Sequence, residues 1–66
     1  MYKVVKVWHN NLPTFVDEVN TCYVSVKIND IMNTKDYVLV VLKVDDVLGE
    51  SIRERFEQII NTYSIA

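Results

Sequence analysis

The chain has almost none of the residues that staple or interrupt a small protein: among its 66 residues there is one Cys, one Gly and one Pro. With Cys22 alone, no disulfide can form within the chain, and a zinc site is nearly excluded because Cys22 and His9 are the only soft ligands. A single glycine, Gly49, excludes both the dinucleotide-binding and the P-loop patterns, which need several at fixed offsets. Long apolar runs are also missing. The longest uncharged one, Tyr37 to Leu42, falls well short of the roughly 18 residues that a membrane span takes. Charge of one sign is lacking too, with 7 basic against 9 acidic residues, so no nucleic-acid footprint is announced. The start Met1-Tyr2-Lys3 opens no apolar region of signal-peptide type, and an unpaired cysteine suits a reducing compartment, so a cytoplasmic chain is expected.

What is present is apolar: half of the residues are hydrophobic. A chain of this length buries only about 60% of its unfolded surface, and a core of this size rarely supplies more than about 3–5 kcal/mol. Domains this small usually add a disulfide, a metal or a second subunit. The first two are removed by composition, so oligomerisation is the expected supplement.

Periodicity sets the elements of one domain over residues 1–66. Tyr2 to Trp8 is rich in β-branched and aromatic types and closes on His9-Asn10-Asn11, which predicts a strand and a turn. From Pro13 to Val26 two periods compete. Phe15, Val19, Cys22 and Val26, widened by Val16 and Tyr23, form a helical stripe. Against it, Cys22, Val24, Val26 and Ile28 alternate, and Thr21 to Val26 is poor in strong helix formers. Pro13 suits a first helical turn and Asp17 and Glu18 suit the dipole of the N-terminal half, so a helix over Pro13 to Val26 is expected. Ile28 to Met32 reads as a short polar edge strand, Asn33 to Asp36 as a turn, and Tyr37 to Val44 as a central strand apolar on both faces. After Asp45, Asp46 and Gly49, Ser51 and Glu54 have capping-box spacing. Ile52, Phe56, Ile59, Ile60 and Tyr63 then define a helix, with Arg53 and Glu57 spaced as an i,i+4 ion pair.

The expected fold is therefore α+β: a compact β-α-β-β-α domain whose two helices pack on a three-stranded mixed sheet of order 1-3-2. Two arrangements remain open. Either the C-terminal helix covers the second sheet face, or both helices share one face and the other meets a second subunit. In the second case Tyr2, Val4, Trp8, Tyr37, Leu39 and Val41 are the candidate interface.

The stretch Lys3 to Asp46, with Glu18-Val19-Asn20 in the first helix and Ile28-Asn29-Asp30-Ile31 leading to Asp36-Tyr37-Val38-Leu39-Val40-Val41, resembles the small sporulation-protein-like family of Bacillota and their phages. The chain departs from it in its long amphipathic C-terminal helix and in Thr21-Cys22-Tyr23, where an acidic residue, Phe and Leu are the pattern. The resemblance implies a source, a small bacterial or phage accessory protein, and no activity or binding residue.

Chemistry is sparse. His9 follows a strand, but no nucleophile or orienting group is spaced to serve it, and it reads as a solvent-facing turn histidine. Ser25, Ser51 and Ser64 lack an elbow motif. Cys22 reads as a buried small hydrophobe, and Asp45, Asp46 and Glu50 as helix N-terminal charge rather than a calcium loop. Lys3 and Lys6 interleave with Tyr2 and Trp8 as in single-strand binders, although a buried strand with snorkelling lysines explains the spacing better. The expectation is a non-enzymatic protein with no catalytic residue, metal or cofactor. It acts through protein–protein contact as a homodimer, with inhibition of a host or defence protein as a further role. A small nucleic-acid-binding regulator is the alternative.

Overall fold

A computed structural model describes residues 1–65, apart from the side chain of Tyr23. Its elements run in the expected order: β1 (Tyr2–Trp8), α1 (Leu12–Asn20), β2 (Val26–Asn33), β3 (Tyr37–Val44) and α2 (Glu50–Tyr63), with short 3-10 turns at His9–Asn11 and Tyr23–Ser25. The strand order is β1-β3-β2, with the apolar β3 in the centre and the polar β2 at an edge.

The sheet is antiparallel rather than mixed. β3 pairs antiparallel with both neighbours, from Tyr2 opposite Lys43 to Trp8 opposite Tyr37, and from Val26 opposite Val44 to Asn33 opposite Val38. β1 and β2 do run in the same direction, but β3 lies between them, so no parallel pair is hydrogen-bonded. A bulge between Ile28 and Asp30 shifts the β2 register by one residue.

The first helix is shorter than its apolar stripe suggests, and the strand alternation wins from Val26 onward. The Thr21 hydroxyl donates to the Glu18 carbonyl, and the Thr21 and Cys22 amides close on Glu18 and Val19, so the last turn tightens and stops. Cys22 still reaches the core, as does Val26 from the start of β2. The placing of Tyr23 on the stripe falls on a side chain outside the described ones.

α2 starts earlier than the capping-box spacing implies. Gly49 is the N-cap, with φ −58° and ψ 151°, its carbonyl accepts from the Arg53 amide at 2.9 Å, and no side chain caps the helix. Ser51 sits exposed inside the first turn. Because the cap has no side chain, the favourable charge of Glu50 is what faces the dipole there. The Arg53–Glu57 ion pair is not formed. Instead Arg55 bridges the helices, reaching Glu18 at 3.4 Å and the Thr21 hydroxyl.

Both helices share one face. Val5 and Val7 of β1, Val26 of β2 and Val38, Val40, Leu42 and Val44 of β3 are buried with Phe15, Val19 and Cys22 on one side of the core and Phe56 and Ile59 on the other. The Phe15 and Tyr63 rings close the gap between helices edge-to-face, with centroids 5.8 Å apart. After α2 the chain turns back to β1, where the Ile65 amide donates to the Lys6 carbonyl at 2.9 Å. No helix among the described residues is long and apolar enough to cross a membrane.

Candidate functional site: the open face of the sheet

Alternation along a strand puts every second side chain on the face that the helices leave bare. Register lines these residues up in four rows. Tyr2, Lys43 and Lys27 form the first row; Val4, Val41 and Asp30 the second; Lys6, Leu39 and Met32 the third; Trp8 and Tyr37 the fourth. All six candidate interface residues lie on this one surface. Tyr2 is 63% exposed, Val4 60%, and Trp8 and Met32 48%, while Tyr37, Leu39 and Val41 along the central strand are half-buried by their neighbours.

Aliphatic side chains fill the middle of the face and charges stand at its margins. Lys6 folds over the neighbouring aromatic, its Nζ 4.9 Å from the Tyr37 ring centroid. Asp30 turns back on its own strand, accepting from the Ile31 amide at 2.8 Å. Lys27 and Lys43 are direct cross-strand partners, a like-charged pair at one end of the sheet. Sequence reasoning missed Met32, Lys27 and Lys43. The bulge after Ile28 hides the phase of β2 from any simple alternation.

The strand face proposed for nucleic acid is split. Lys3 has the phase of the buried Val5 and Val7, so it points to the helix side, while Lys6 points to the open side. On the helix side a groove of about 630 Å³ runs between the start of β1, the loop after β3 and α2. Val44, Phe56 and Ile60 line it together with Lys3, Arg53 and Glu57.

The other candidates have local roles. His9 is exposed in the turn after β1, and its Nε2 lies 2.8 Å from the Thr34 carbonyl, linking this turn to the one between β2 and β3. Cys22 is fully buried, and burial pushes its thiol up, with Glu18 adding to the shift and Arg55 opposing it. Of Asp45, Asp46 and Glu50, Glu50 lies in the first turn of α2, whereas Asp46 pairs with the Met1 ammonium at 3.2 Å. No group of three metal-ligating side chains, and no buried polar or charged side chain, occurs among the described residues.

Compared with family models, with curated proteins and with solved structures, the chain matches none of them.

Proposed function

We propose that the chain is a non-enzymatic interaction module that dimerises through the open face of its sheet. The placement of Tyr2, Val4, Trp8, Tyr37, Leu39 and Val41 on one uncovered surface carries this reading. An antiparallel sheet can leave one face to water, but such a face is then normally polar, and this one is aliphatic at its centre and aromatic at its end. An apolar centre inside a charged margin is also how protein interfaces are built, with Trp and Tyr as their usual anchors.

Size sets the expected strength. Three strands spaced by about 4.8 Å and four rows of side chains cover on the order of 350 Å² in plan, below the roughly 800 Å² per partner of a standard interface. The dimer is therefore a weak one, with a dissociation constant in the micromolar range. Sedimentation velocity over a concentration series should show a monomer–dimer equilibrium. Val41→Glu, on the central strand, should weaken it about ten-fold or more, since two carboxylates would lose water at the centre, while leaving the far-ultraviolet spectrum unchanged. A monomer at several hundred micromolar would refute the reading. In a bacterial or phage cytoplasm the same face would let the chain occlude a host or defence protein. Genomic neighbourhood is the first observation to make on that point.

A second reading follows from one specific feature. Lys6, Lys27 and Lys43 share the open face with Tyr2, Trp8 and Tyr37, the combination of cations and ring faces that single-stranded nucleic acid uses. Anisotropy of a labelled oligonucleotide separates the two readings. Strand binding must collapse as salt rises, whereas association of two lysine-bearing faces must hold or strengthen.

A further inference from the structure

A lysine occupies an inward position of β1. Lys3 shares the phase of the buried Val5 and Val7 and is paired in register with the buried Leu42, so its stem lies on the helix side of the sheet. It is half-buried, and no carboxylate pairs with its ammonium among the described residues. Snorkelling toward water would account for such a lysine by itself. It does not account for the surroundings. Lys3 borders the helix-side groove, and the groove's volume of about 630 Å³ falls within the roughly 300–1,000 Å³ of sites that hold small molecules.

The floor of this groove is apolar, with Val44 and Phe56 buried and Ile60 half-buried one turn further along α2. Its rim is apolar as well. The loop after β3 holds Val47 89% exposed, more than any other large hydrophobic side chain among the described residues, and Met1 on the same rim is 62% exposed. Charges other than Lys3 stand at the edge: the Met1 ammonium holds Asp46 at 3.2 Å, and Asp45, Arg53 and Glu57 are exposed. Water screens those, so Lys3 alone sets the sign of the covered part. A concave site of this size suits a small molecule, whereas a protein partner needs about 800 Å² of matched surface.

We propose that the groove between β1, the loop after β3 and α2 binds a small amphipathic carboxylate, an alkyl chain ended by one negative group. The carboxylate meets the Lys3 ammonium, and Arg53 at the edge adds a second positive charge. The alkyl chain lies along Phe56 and Ile60 and is covered by Val47 and Leu48 of the loop. Burial of its methylene groups supplies the affinity, and the ion pair supplies the choice of headgroup. This site is on the opposite side of the sheet from the open face, so it stands or falls apart from self-association.

Octanoate is the probe, with octanol and octylammonium as its neutral and cationic counterparts. In a two-dimensional NMR titration of the isotope-labelled chain, octanoate should move the amide signals of Lys3, Val47, Phe56 and Ile60 along one saturating curve. A dissociation constant on the order of 1 mM is expected for so small a ligand. Octanol should bind about five- to ten-fold more weakly, between the worth of an exposed ion pair and that of a charged hydrogen bond, and octylammonium more weakly still. Lys3→Met keeps an apolar stem and removes the charge. It should cost octanoate that same factor and leave octanol unchanged, which separates loss of the cation from loss of the fold. Lys3→Gln gives the same readout should methionine disturb the strand. Equal binding of the three probes, or octanoate binding indifferent to both variants, would overturn the proposal. So would shifts that never saturate, or shifts confined to Leu39, Val41 and Lys43 on the open face.

Discussion

Phe15 and Cys22 show how little slack this core has. Phe15 is fully buried beneath α1 and meets the Tyr63 ring of α2, so it joins both helices to the sheet. Phe15→Ala should cost about 3–5 kcal/mol, comparable to the whole stability of a domain this small, and loss of a cooperative thermal transition is the expected result. Phe56, buried on the other helix, should behave alike. Cys22 makes a prediction in pH. Burial holds its thiol above the ordinary value of 9.0, so the unfolded chain loses that proton first. The stability that Cys22 contributes should be level through neutral pH and fall as pH rises past that value, because the unfolded thiol has then lost a proton that the folded one keeps. Chemical denaturation at pH 8 and 10, compared with Cys22→Ala, would show it. The variant should lose less stability between the two pH values than the parent chain does.

At the scale of elements, the contrast between α1 and α2 shows what the sequence could and could not reveal. β1, β3 and the apolar stripe of α2 were legible because one period dominated each. Pro13 to Val26 was ambiguous because the same apolar residues satisfy both periods over its second half, and a hydroxyl at Thr21 decided where the helix ended. The open face was half legible. Residues of β1 and β3 followed from alternation, while those of β2 did not, because the bulge displaces its phase by one. The start of α2 differs from the expected one for a simpler reason: Ser51 and Glu54 have capping-box spacing but lie inside the helix. Ser51→Ala should accordingly change stability by no more than about 0.5 kcal/mol, against the 0.5–2 kcal/mol of a true cap. Gly49→Ser should instead stabilise by about 0.5–1 kcal/mol. It restricts the unfolded chain and brings a capping hydroxyl to a position where a Cβ meets nothing within 4 Å. Urea titrations of the two variants check both signs.

For the molecule as a whole, charge is sorted by layer. The open face bears Lys6, Lys27 and Lys43 with only Asp30 against them, and the remaining four basic and eight acidic residues lie elsewhere. A net charge of −2 therefore conceals a basic sheet backed by an acidic helix layer. The return of Ile65 to the Lys6 carbonyl governs what kinds of assembly are open to such a body. An edge strand with free amides invites another strand to join it, and repetition of that joining makes a fibre. Here the bulge and the turned-in Asp30 spoil one margin, and the tail occupies the middle of the other. Sideways joining is hindered at both margins, so on the proposed reading association goes across the face and ends at two copies. Removing the residues after Tyr63 should reopen β1, and light scattering should then register slow polymerisation that the unshortened chain does not show.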